Sequence, residues 1–260
     1  MMKIGMFDSG VGGLTVLKSV RDAYENVDIV YLGDTARVPY GIKSKETIIN
    51  YAKESASFLM SQNVDMILIA CNSVSANAME VLQEMFDIPI VGVIEAGVEA
   101  ALKSSKTKQV GIIGTSATIN SNKYQERLEA FNIKTYAKAC PLFVPIVEEK
   151  LINTDISKRT VEFYLKEFKD LKDVDTIILG CTHYPLLEKD IKEFLPHINL
   201  VSSSDAIVSY IKDIIKNEGN ATTELYFTDI SDNTAKLVEY IMGQKYELKY
   251  ISVESLSLNC

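Results

Sequence analysis

The chain has 260 residues, enough for one large domain or two modest ones that each bury a real core. An apolar fraction of 47% and a charged fraction of 24% are ordinary for a globular protein. The net charge of -8, with no basic run to offset it, argues against a nucleic-acid binder, yet a local pocket can still be positive enough for a small anion.

From the N-terminus, Lys3–Phe7 reads as a strand, Leu14–Tyr24 as a helix, Asp28–Gly33 as a strand and Glu46–Met60 as a long helix. The strand Asp65–Ala70, the helix Ala76–Phe86, the strand Ile90–Val93 and the helix Glu95–Leu102 follow. The alternation resumes with the strand Val110–Gly114, the helix Ser121–Phe131 and the strand Lys134–Ala139. Helices across Val144–Leu151 and Ser157–Phe168 lead to the strand Asp175–Gly180, a helix near Leu186–Phe194, the strand Asn199–Ser202 and the helix Asp205–Lys216. Glu224–Phe227 and Thr234–Met242 complete the series as a last strand and helix. Such alternation predicts an α/β protein with parallel sheets covered by helices on both faces. The weak seams are Lys103–Lys108, a Ser/Lys/Thr stretch near an expected domain boundary, and Asn217–Thr223.

No apolar run approaches the roughly 20 residues of a membrane span, and the apolar stretch before Asp8-Ser9 is too short for a signal peptide. The four cysteines show no CxxC pair, so neither a disulfide framework nor a zinc site is expected. The cytosol, where thiols stay reduced, is the expected compartment.

One segment echoes another. Gly5-Met6-Phe7-Asp8-Ser9 is similar to Gly111-Ile112-Ile113-Gly114-Thr115-Ser116, and Ile67-Leu68-Ile69-Ala70-Cys71-Asn72 to Ile177-Ile178-Leu179-Gly180-Cys181-Thr182. The offsets nearly agree, so two halves with one βα plan could face each other across a cleft. The plainer reading is that buried parallel strands all look alike because they are rich in Ile, Leu and Val.

Asp8-Ser9-Gly10-Val11-Gly12-Gly13 is a Gly-rich turn between a strand and a helix, where backbone N–H groups can face an anion. Thr15 stands where the dinucleotide fingerprint needs its third glycine, and the phosphate-loop lysine is missing, so no nucleotide cofactor is supported. The loop Gly33–Gly41 carries Tyr40, which offers a hydroxyl, and Gly41, beside which backbone N–H groups could hold a carboxylate; the alternative is a surface loop with Asp34 and Arg37 paired.

A lone buried cysteine is usually a small hydrophobe, which suits Cys140, and Cys260 is simply the last residue. Cys71 and Cys181 differ, because each ends an apolar strand and is followed at once by polar residues and a helix. A helix N-terminus lowers a thiol pKa from about 8.5 toward neutrality, fitting it for proton transfer. His183, two residues after Cys181, is either a locally satisfied residue or a proton-transfer partner, whereas His197 reads as a surface residue.

Taken in order, Phe7–Gly13, Gly33-Asp34-Thr35, Pro39-Tyr40-Gly41, Ala70-Cys71-Asn72-Ser73, Gly114-Thr115, Cys140–Pro145 and Leu179–Leu186 resemble the glutamate racemases, a cofactor-independent branch of the aspartate/glutamate racemase superfamily. The resemblance covers essentially the whole chain. It implies two similar parallel-sheet α/β domains facing each other across a substrate cleft, residues 1–96 with 207–260 in one and 97–206 in the other. It implies Cys71 and Cys181 as paired acid and base, with Asp8, His183 and Glu148 assisting. Asp8, Ser9, Pro39, Tyr40, Gly41, Asn72, Ser73, Thr182 and His183 would bind glutamate, without metal or cofactor. It further implies D-glutamate supply for peptidoglycan, and relatives are often homodimers. Two departures stand out: Ser73-Val74 where Thr-Ala is usual, and serines at 202–204 where an acidic residue is common. The rival readings are a cysteine amidohydrolase using Cys181 and His183, for which two residues' separation is awkward, a non-catalytic amino-acid-binding protein, and a racemase of aspartate or another acid.

Overall fold

In the computed structural model, which describes residues 2–257, ten strands are present: β1 (Lys3–Asp8), β2 (Asp28–Gly33), β3 (Met66–Ile69), β4 (Ile90–Gly92), β5 (Gln109–Gly114), β6 (Lys134–Ala139), β7 (Thr176–Gly180), β8 (Asn199–Ser202), β9 (Thr223–Phe227) and β10 (Leu248–Tyr250). They form a six-stranded sheet in the order β10-β9-β2-β1-β3-β4 and a four-stranded sheet in the order β6-β5-β7-β8. Every pairing is parallel. Parallel sheets need cover on both faces, which is why β2, β3 and β7 are buried at every position and read as unbroken apolar runs.

The internal echo has a topological counterpart. The order β2-β1-β3-β4 in one sheet repeats as β6-β5-β7-β8 in the other. The strand before Cys71, β3, therefore occupies the place that β7 holds before Cys181, each beside the first strand of its own series. In parallel α/β sheets the carboxyl ends of the strands are where ligands bind, and both cysteines lie there.

Several elements depart from the expected limits. The helix expected at Ala76–Phe86 starts at once after Cys71, as Asn72–Asn77, and breaks at Ala78 before Met79–Met85. At the break Asn77 turns its side-chain amide back onto the Ser73 carbonyl at 2.8 Å, a local bond that competes with continued helix. The helix expected at Ser121–Phe131 is likewise divided, into Ser116–Asn120 and Lys123–Glu129, because Asn122 adopts the left-handed conformation. The edge strand β10 and the helix Val253–Ser257 have no counterpart among the expected elements; a three-residue, half-exposed strand centred on Lys249 leaves no apolar run to read. Cys260 lies outside the described residues.

The sheets meet through two helices. Val93–Ser104 turns Val93 and Ala96 onto the core of the larger sheet, while Ile94, Val98 and Ala101 pack with Val110, Ile112 and Ile178 of the smaller one. Ser203–Ile211 puts Ile207 and Ile211 into the larger sheet's core. The division at 96/97 and at 206/207 falls inside these shared helices. No helix among the described residues is long and apolar enough to cross a membrane.

Close approach of the two units demands glycine at two points. A Cβ on Gly12 would lie 2.4 Å from the His183 ring and from the Thr182 hydroxyl, and one on Gly41 would lie 2.5 Å from the Thr115 Cβ. Gly12→Ala is therefore expected to push the units apart and to destabilise the protein by about 1–3 kcal/mol, the usual result of overpacking. A denaturant melt of the variant beside the parent measures it; equal midpoints would show that the seam has slack.

Candidate active site

Cys71 caps the helix Asn72–Asn77 from the end of β3, and Cys181 follows β7 directly. Both thiols line one pocket, 4% and 6% exposed, from opposite sheets. Ser9, Pro39, Tyr40, Gly41, Asn72, Ser73, Thr182 and His183 complete it among the expected residues. Asp8 and Glu148 do not reach the cavity; each stands behind a residue that does. The cavity measures about 20 Å³, room for about one water, so any larger ligand enters only when the walls part.

The Gly-rich turn does bind an anion with its N–H groups, but that anion is the chain's own Asp8. The Gly10 N–H donates to Asp8 Oδ2 at 3.0 Å, the Gly13 N–H also donates to the carboxylate, and the Thr182 hydroxyl donates to Oδ1 at 3.3 Å across the seam. Burial pushes the Asp8 pKa up, against the opposing pull of His183 and these donors. With its oxygens so engaged and fully buried, Asp8 meets Cys71 through its field rather than as a direct contact in the cavity.

The two thiols sit in unlike surroundings. Cys71 accepts from the Val74 N–H of its own helix and donates to Ser9 Oγ at 3.7 Å. A helix N-terminus by itself would lower its pKa; instead burial, reinforced by the Asp8 charge, pushes it up to about 12. Cys71 is thus a protonated thiol at neutral pH. Cys181 lies 3.8 Å from His183 Nδ1, so the pairing that two residues' separation makes awkward does form. On the other side of the ring, His183 Nε2 is 3.0 Å from Glu148 Oε1. Burial opposes charge on His183, but the bonds to Cys181 and Glu148 outweigh it and raise the pKa to about 10. Both ring nitrogens are then donors, and an imidazolium stands between a sulfur and a carboxylate.

Tyr40 does not offer its hydroxyl to the cavity. The hydroxyl donates to Asp34 Oδ2, and the same carboxylate accepts from Arg37 Nε at 2.6 Å and, through Oδ1, from Thr228 Oγ1 at 2.8 Å. Arg37 bridges on to Glu54 and lies 4.0 Å over the Tyr51 ring. The Asp34–Arg37 pair expected of a plain surface loop therefore exists, yet its effect is to fix Tyr40 and Gly41 as part of the wall. What Tyr40 presents to the pocket is ring and backbone.

Three supporting residues escape the sequence reading. The Tyr124 hydroxyl donates to Asn72 Oδ1 at 2.7 Å, while Asn72 Nδ2 donates to Ser203 Oγ at 3.4 Å, which fixes which end of the amide faces which neighbour. Thr115 lines the pocket and shares a 2.9 Å hydrogen bond with Ser73 Oγ. The echo holds a signal for Thr115, since it occupies the place that Ser9 holds after β1. Tyr124 and Ser203 reach Asn72 only through the tertiary fold; nothing in the local sequence marks Tyr124, and Ser203 shows only as part of the serine run at 202–204.

The description Asp/Glu/Hydantoin racemase belongs to the family model that matches residues 12–211. A glutamate racemase of Hydrogenobaculum sp. (strain Y04AAS1) is 89% identical over 259 residues, covering 100% of both chains. The structure of glutamate racemase from Aquifex pyrophilus matches with a TM-score of 0.86 at 54% identity, over 96% of this chain and 98% of that one. The glutamate racemase of Francisella tularensis subsp. tularensis SCHU S4, solved in complex with D-glutamate, matches with a TM-score of 0.89 at 36% identity, over 98% of each chain.

Two measurements probe the site itself. If Tyr40 acts by anchoring its loop to Asp34, then Tyr40→Phe and Asp34→Ala remove the same bond, and their stability costs fall short of additivity by about 0.5–3 kcal/mol in a double-mutant cycle; additive costs would mean separate roles. The second concerns His183, whose pKa rises on folding from 6.5 to about 10. A raised pKa stabilises the fold fully below the unfolded value and loses that contribution as pH climbs through the folded one. Denaturant melts should show stability falling across this window, and Glu148→Gln should flatten the fall by removing one of the partners that raise the value.

Proposed function

The chain belongs to the Asp/Glu/Hydantoin racemase family, and from that premise we propose that it interconverts L-glutamate and D-glutamate by two-thiol acid–base chemistry, without a cofactor. The observation that carries this reading is a pair of sulfurs on opposite walls of a single pocket. Racemisation removes the proton at Cα from one face and returns one from the other. The intermediate is flat at that carbon, so two groups must flank it, one starting charged and the other protonated. Cys71, held as the thiol, is the donor in the direction that begins from this state. Cys181, beside a charged imidazole, is the acceptor. The reverse reaction begins with these states exchanged.

A thiolate is far too weak to remove an amino-acid Cα proton unaided. The site must stabilise the charge that builds up on the α-carboxylate side of the carbanion, and fixed donors in a dry cavity do this best. Asn72, Ser73 and Ser9 are the amide and hydroxyl donors at hand, each buried and positioned by a neighbour, and Thr182 joins them when its proton leaves Asp8 on opening of the walls. The cavity must open to admit glutamate and reclose around it; reclosure expels water and strengthens every donor. The Tyr40-Gly41 wall, locked by Asp34, sets the distance available for the distal carboxylate and so distinguishes glutamate from its shorter homologue. We place the reaction in the cytosol, where it would supply D-glutamate for peptidoglycan and where both thiols stay reduced.

The hydrolase reading gains from the Cys181–His183 contact but leaves Cys71 without a task. Polarimetry separates the readings. D-glutamate should lose its rotation while D-aspartate keeps it. Cys71→Ala and Cys181→Ala should each lower the rate by roughly 10²–10⁴-fold or more in both directions, the usual weight of a general acid or base. Undiminished racemisation by Cys71→Ala would remove the pair and restore the single-nucleophile alternative.

A further inference from the structure

Two surface grooves adjoin the catalytic pocket, and they carry opposite charge. One shares Val38 with the pocket and is lined by the carboxylates Glu148 and Asp229. The other shares Gly41 with the pocket and has a volume of about 460 Å³. Lys43, Lys45 and Lys123 line it, together with Ser44, Asn77 and Ser116, and no carboxylate does. Its floor continues the catalytic walls: Asn77 ends the helix that Cys71 caps, and Ser116 follows Thr115.

Lys123 is paired with Glu80 at 2.8 Å, but Glu80 is largely exposed and lies outside the groove. Among the described residues, no carboxylate stands within ion-pair distance of Lys43 or Lys45. The 17-residue helix Lys45–Ser61 also begins here, with Ser44 as its cap, and adds the positive end of its dipole. In a chain of net charge -8, this concentration of positive charge, with Glu80 at its edge as a partial counterweight, adjoins the pocket at Gly41.

The geometry points to this groove as an antechamber that binds the dicarboxylate substrate before it enters the pocket. The inference rests on the glutamate reading above. Glutamate at neutral pH has two carboxylates and one ammonium, hence a net negative charge. A cationic recess raises its local concentration, and the acidic groove on the far side repels it. Because the antechamber touches no reacting atom, its effect belongs in KM and not in kcat.

The test is the salt dependence of KM for D-glutamate, followed by polarimetry on the full chain. In the parent protein, KM should rise several-fold between roughly 10 mM and about 0.3 M NaCl, as screening shortens from about 30 Å to below 10 Å. The Lys43→Glu/Lys45→Glu variant should show a KM about tenfold higher at low salt, with kcat unchanged and the salt dependence abolished or reversed. Lys43→Gln/Lys45→Gln should fall between, and Lys43→Arg/Lys45→Arg should behave as the parent. A reversal variant whose KM and salt profile match the parent overturns the antechamber, as does an arginine variant as impaired as the glutamate one. No racemisation by the parent protein at any salt would instead sink the glutamate reading itself.

Discussion

Two sheets have to bring their carboxyl edges within a side chain's length of each other, and the rest of the site follows from that approach. Glycine at 12 lets the first helix's entry lie against the His183 ring, and glycine at 41 lets the loop 33–41 lie against Thr115. At these contacts any Cβ would collide. Without them, Cys71 and Cys181 would end two separate strands with separate surroundings. With them, a hydroxyl of one unit reaches a carboxylate of the other, Thr182 to Asp8, and one cavity has a sulfur on each side.

A symmetric reaction is thus assigned to a frame that repeats in topology but not in electrostatics. The two cysteines follow equivalent strands, yet only one has a histidine and a carboxylate in line behind it. The other is raised in pKa by its burial, with a nearby buried carboxylate adding to the effect. The two sulfurs are therefore matched in position and unlike in surroundings. Charge acts at a distance through a low-dielectric interior, so Asp8 raises the Cys71 pKa without reaching the cavity, and Glu148 holds the charge on His183 in the same way.

Much of this frame is legible in the amino-acid sequence, and the reasons are physical. The limits of β2 can be read directly, because four apolar residues lie between Asp28 and Gly33. The two cysteines stand out because a strand, a thiol and a polar helix start occur together twice. What is not legible depends on tertiary contact. Tyr40 offers a hydroxyl in the sequence and the resemblance implies that it binds substrate; only the fold shows Asp34 taking that hydroxyl. Asp8 reads as a contact residue, and only the fold shows its oxygens occupied by the glycine turn. The helix breaks at Ala78 and Asn122 escape notice because apolar periodicity continues across them while the backbone does not.

A site that must open for its substrate constrains how its seam can be held together. Direct bonds across the seam near the pocket include the hydrogen bonds Thr182 to Asp8, Asn72 to Ser203, Tyr124 to Asn72, Ser73 with Thr115, and Thr15 to the Thr182 carbonyl. Each contributes on the order of 1 kcal/mol net, since water can replace the lost partner once the walls separate. Apolar packing at the same place would have been harder to part, because separation would expose surface that water cannot satisfy. The shared helices Val93–Ser104 and Ser203–Ile211, by contrast, do bury apolar side chains against the sheets. The seam is therefore firm at the helices and wettable at the thiols, a distribution that permits opening at the site while the two units stay joined.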